Sequence, residues 1–63
     1  MDPKDRENIE EGLEVEIVEK HNQRNEELTR GIVEEILTNS SSHPHGIKVR
    51  LTTGEVGRVQ IIY

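Results

Sequence analysis

The 63-residue chain contains no cysteine, no phenylalanine and no tryptophan, and its one aromatic side chain of the Phe/Tyr/Trp kind is Tyr63. Each absence excludes a class of protein. Without thiols there are no disulfides, no thiolate metal centres and no cysteine nucleophile, so nothing points to an oxidising compartment. Without aromatics, three binding modes lose their principal parts: the walls of a proline-peptide groove, the cage around a methylated lysine, and the platforms on which single-stranded bases stack. No apolar run approaches the roughly 18 residues of a membrane span, and the N-terminal MDPKDRENIEEG is charged, unlike a signal peptide. The expectation is a soluble, cytoplasmic protein with no membrane partner.

The apolar residues present make up 30% of the chain and are nearly all Ile, Val and Leu. A core of small branched aliphatics favours strands. At this length a domain buries only about 60% of the surface its unfolded chain exposes, so one small domain is expected, and one of modest stability. The net charge of −5 is unevenly spread: residues 1–37 carry five Lys/Arg against twelve Asp/Glu, whereas residues 38–63 carry three against Glu55 alone. An acidic chain does not attract polyanions through its overall field, so a nucleic-acid contact has to be a local patch in the C-terminal half. The acidic half otherwise serves solubility.

Periodicity gives the expected elements. Asp2-Pro3 resembles a helix N-cap followed by proline at the first helical position, which predicts one or two helical turns within residues 2–11, ended by Gly12. Leu13, Val15 and Ile17 alternate with Glu14 and Glu16, the period of a strand with one wet face. Lys20 to Glu27 is polar throughout and reads as a loop long enough to carry function. Leu28 to Leu37 has apolar residues at helical intervals, but Gly31 and the β-branched content favour a strand with a bulge or bend. Asn39 to Gly46 is a second loop. Ile47, Val49 and Leu51 then alternate with Lys48, Arg50 and Thr52 in a third strand, and Thr53-Gly54 is a tight turn into a fourth strand, Glu55 to Ile62. There Gly57 is expected to mark a bulge, with Val59 and Ile61 facing inward. The expected architecture is all-β: a small, SH3-like antiparallel β-barrel over residues 13–63, preceded by an N-terminal arm, residues 1–12, with a short helical turn.

Gly31, Val33 and Ile36 sit where the KOW type of SH3-like barrel carries a glycine, a following valine and a later isoleucine. The longer string GLEVEIVEK…LTRGIVEEILTNSSSHPHGIKVRLTTGEVGRV resembles the YwbE-type family of short uncharacterised proteins, through TRGIV, HPHGIKVRL and GEVGRV in that order, over residues 6–62. The family resemblance implies no activity. Likeness to KOW barrels implies, by analogy, partners among RNA or proteins of the ribosomal and transcription machinery.

The densest chemistry is NSSSHPHGIKVR, residues 39–50. His43 and His45, at i and i+2 on an extended segment, project to one side as zinc ligands do, with His21 or a carboxylate as a conceivable third. The lack of cysteines argues against zinc, and a turn fixed by Pro44 and Gly46 accounts for the same residues, so no metal or other cofactor is expected. A serine triad would need a water-excluding pocket that a chain this short hardly builds, and the glycines are spaced as turn residues rather than as a phosphate loop. The chain is therefore read as non-catalytic, without a small-molecule substrate. Lys48 and Arg50 share one face of the third strand, Arg58 stands across the Thr53-Gly54 turn, and Arg30 lies on the second strand. With His43 and His45 these form a candidate patch for phosphate oxygens of RNA or a ribonucleoprotein. Two alternatives stay open: the cations are a wet sheet face paired with Glu14, Glu16 and Glu55, or the chain is a protein-binding adaptor that uses a sheet edge or the acidic face of Glu14 and Glu16.

Overall fold

In the computed structural model, which describes residues 2–19 and 27–63, the expected strands form and close on themselves. They are β1 (Glu14–Glu19), β2 (Leu28–Ile36), β3 (Lys48–Leu51) and β4 (Val56–Ile62). Each pairs antiparallel with the next, and β4 returns to β1, giving a closed barrel. Closure matters in a molecule with so little core, because it satisfies the strand backbones without leaving an edge for another chain to pair with. The all-β class, the small antiparallel barrel and the N-terminal helical turn are as expected.

The interior is built by alternation. Val15 and Ile17 of β1, Val33 of β2, Val49 and Leu51 of β3 and Val59 of β4 are buried together with Ile47, and Ile9 from the arm joins them. The arm is fastened by backbone hydrogen bonds to the 38–47 loop: Arg6 N–H donates to the Ser41 carbonyl (2.8 Å), His43 N–H to that of Lys4 (2.9 Å) and Ile47 N–H to that of Pro3 (3.0 Å). The arm thereby fills the core with Ile9 and holds the histidine loop in place.

Three details differ from the sequence expectation, and the bulge or bend expected in β2 is present and finds its place. The helical turn is a single 3₁₀ turn, Arg6–Asn8, with Asp5 in the cap position. Asp2 instead accepts the Lys4 amide on its side chain (2.9 Å), a local turn that competes with helix. The irregularity of β2 lies between Val33 and Glu35, at Glu34. Gly31 keeps regular register opposite Val15, and its missing side chain makes room for Leu51, whose Cδ1 would lie 2.7 Å from an added Cβ. Gly57 is regularly paired too, opposite Glu19 and Val49. The bulge of β4 falls where Glu16 and Ile17 face Ile61 and Val59, which leaves Gln60 as the extra residue. One extra residue reverses the alternation: Ile61 turns outward, 40% exposed, and Ile62 packs on the core.

Candidate nucleic-acid interface

The loop that carries the histidines is shaped from the glycine outward. Gly46 has φ +100°, and an added Cβ would stand 2.3 Å from the Val59 carbonyl oxygen, so the loop can approach β4 this closely only with glycine there. The turn is closed by Gly46 N–H donating to the His43 carbonyl (3.1 Å). Two side chains of β4 then reach up to it: Arg58 donates to the Gly46 carbonyl and Gln60 to that of His45, both at 3.1 Å. Because a guanidinium carries five N–H groups, this anchoring bond leaves Arg58 donors for a ligand.

His43 and His45 face one another with ring centroids 5.7 Å apart. The His45 amide donates to His43 Nδ1 (3.1 Å), which places the proton of neutral His43 on Nε2. Partial burial holds the His43 pKa below the ordinary histidine value, and the positive Arg58 and the neighbouring His45 act in the same direction. Among the described residues no three His, Asp or Glu side chains gather as a metal site would require. His21 and residues 20–26 of the expected Lys20 to Glu27 loop lie outside the described residues.

The six candidate residues divide by their partners. Arg30 on β2 is paired with Glu14 (2.6 Å) and lies over the Tyr63 ring, 4.1 Å from its centroid. Tyr63 in turn donates its hydroxyl to Glu16. Arg50 on β3 is held by Glu35, its neighbour in the β2–β3 register, and stands 3.7 Å from Glu34. Both arginines therefore carry a carboxylate partner on the sheet surface. Glu55, expected as another partner, instead accepts from the Thr53 hydroxyl, which lowers its pKa. Lys48 and Arg58 are different: they stand directly opposite each other in the β3–β4 register, and among the described residues neither has an ion-pair partner. The structure thus brings His43, His45, Lys48 and Arg58 to one end of the barrel and neutralises Arg30 and Arg50 elsewhere.

Beside this cluster runs an open groove of about 660 Å³ between the arm, the His43–Gly46 turn and the outer face of β1, β2 and β4. Lys4, His45 and Arg58 line it together with Val18, Leu28 and Ile61, and no carboxylate does so among the described residues. Lys4, Gln60 and the apolar floor escape a sequence reading. Lys4 arrives through the backbone pairing of the arm, and Ile61 is turned out by a bulge that no residue type announces.

Comparison with known proteins takes in nearly the whole chain. The family described as "Uncharacterized conserved protein (DUF2196)" matches residues 2–62. The chain belongs to this family. A protein of Bacillus subtilis (strain 168), "Uncharacterized protein YwbE", is 53% identical over 62 residues, covering 98% of this chain and 95% of that protein. No solved structure matches the chain. The DUF2196 match takes in both the arm and the barrel, so Lys4 and the loop it holds lie inside the family's extent.

Proposed function

We propose that this protein is a non-catalytic RNA-binding module that attaches to RNA or a ribonucleoprotein through Lys48, Arg58, His43 and His45. The observation that carries the reading is the facing pair Lys48 and Arg58. Like charges directly opposite on neighbouring strands are destabilising, and a chain with thirteen acidic residues pairs its other strand arginines with glutamates. An anion bound between the two cations relieves the repulsion and recovers the stabilisation of charge-assisted hydrogen bonds. Phosphate oxygens supply that chemistry in a row, and the imidazoles beside them add donors.

A non-catalytic role fits a groove that is open rather than water-excluding. The adaptor alternative has less to stand on, since barrel closure removes the free sheet edge and Glu14 and Glu16 are occupied by Arg30 and Tyr63. No helix among the described residues is long and apolar enough to cross a membrane, and a cytoplasmic site of action, where ribosomal RNA is met, accompanies the proposal.

The test is fluorescence anisotropy with labelled ribosomal RNA fragments over a salt series. Affinity is expected to fall steeply with salt, and Lys48→Ala to weaken binding and flatten the salt slope by about one phosphate contact. Arg50→Ala, which removes a cation already held by glutamates, is expected to change little. Affinity that Lys48→Ala leaves untouched overturns the reading.

A further inference from the structure

We infer that the RNA taken up here is an unpaired strand, with a phosphate at Lys48 and Arg58 and adjacent base faces laid on Val18, Leu28 and Ile61; the inference rests on the RNA-binding reading above. The ladder register sets these residues in one outward row. Leu28 of β2 pairs with Val18 of β1, Val18 with Arg58 of β4, and Arg58 with Lys48 of β3. Neighbouring strands lie about 4.8 Å apart. The row therefore changes from apolar to cationic within one strand spacing, and two spacings, about 10 Å along the curved sheet, separate Leu28 from Arg58. Ile61 extends the apolar half along β4, and both Leu28 and Ile61 are exposed, at 39% and 40%.

Such a surface suits a ligand with an anion and a flat apolar face side by side. An unpaired nucleotide has both, whereas a paired helix turns phosphates, sugars and hydroxyls outward and keeps its base faces stacked inside. Against a duplex the apolar half of the row would meet phosphates and sugars, whose lost hydration no polar group there replaces. An acidic peptide matches the cations but has no flat apolar face to offer the floor. The floor lacks the aromatic platforms of stacking binders, so bases would rest on it by aliphatic contact alone, which accepts any base and reads little sequence. The groove's lining adds Lys4 and His45 on the rim, so a strand leaving Arg58 still runs beside positive charge.

The test compares one RNA of about ten nucleotides, a length in the range single-strand binders cover, as a free strand and annealed to its complement. Competition by adenosine monophosphate and by polyglutamate completes the set. The single strand is expected to bind at least about tenfold more tightly than the duplex, and Leu28→Ser to weaken only the single strand, by roughly fivefold, as fits partial loss of one leucine's burial. Ile61→Ser, on the same floor but another strand, is expected to do the same. Both changes lie on exposed side chains, and an unchanged amide spectrum verifies the fold. Equal binding of the two forms, or single-strand affinity unaffected by both serine variants, overturns the inference while leaving the RNA-binding reading intact. Displacement by adenosine monophosphate or polyglutamate as effective as that by the strand assigns the groove to a free nucleotide or to an acidic chain and also overturns it. Absence of binding to either RNA form defeats the underlying reading itself.

Discussion

At the buried Gly57, β4 passes close to the backbone of β1. An added Cβ there would stand 2.4 Å from the Val18 carbonyl oxygen, a backbone atom that cannot step aside without opening the β1–β4 ladder. Gly57→Ala is therefore expected to cost about 2–3 kcal/mol, in the range of overpacked cores. Gly54, with φ +102° and nothing within 4 Å of an added Cβ, carries backbone strain alone, and Gly54→Ala should cost about 1 kcal/mol. Urea denaturation that finds the two variants equally weakened contradicts the close approach. His43 provides the pH dependence at this scale. Its pKa is lowered on folding, so as pH falls below 6.5 the unfolded chain takes up the proton first. The His43 contribution to stability is whole above that value and declines below it. Bound phosphate favours the imidazolium, so an imidazole NMR titration should place the free midpoint below 6.5 and move it upward when RNA is added; an RNA-independent midpoint removes His43 from the interface.

Among the elements, β3 and β4 carry the facing cations on which the proposed function rests. Lys48→Glu converts a facing pair of cations into a cross-strand ion pair with Arg58, which should raise stability by about 0.2–1 kcal/mol while abolishing RNA binding. Thermal unfolding and anisotropy on the same sample check both halves. A variant that loses stability would mean that Lys48 and Arg58 do not repel. β1 and β3 were legible in the sequence because alternation alone specifies a strand with one buried face. The phases of β2 and β4 were not, since a bulge is set by how two strands fit around a closing barrel. Glu34 and Gln60, the residues left over, are of no type that favours bulges, while the glycines that suggested them are used for close packing. The split among the arginines has the same origin. Arg30, Arg50 and Arg58 are alike as sequence, and only the pairing of strands sets Glu14 diagonally beside the first, Glu35 opposite the second and Lys48 opposite the third.

At the scale of the whole molecule, eight buried aliphatic side chains among the described residues make up the core. Domains of 63 residues have total stabilities of about 3–9 kcal/mol. Truncating one of the largest fully buried side chains, Ile17→Ala, costs about 2–5 kcal/mol, a large part of that total. The expected outcome is a protein substantially unfolded at 37 °C, visible as collapsed amide dispersion, and RNA bound in excess should partly restore the fold by mass action. A well-dispersed spectrum with unchanged urea midpoint would show that the barrel does not depend on this core.

By itself the sequence determined the fold class, the strand content, the inward set Val15, Ile17, Ile47, Val49 and Leu51, and the presence of cations near the second loop. These follow from period, composition and turn residues, which act over a few positions. Tertiary structure alone decided which cations remain unpaired, that Ile61 faces out, and that Lys4 and Leu28 share a groove with Arg58. Those facts depend on register around a closed barrel and on an arm hydrogen-bonded to a distant loop, and neither is encoded in any local stretch of the chain.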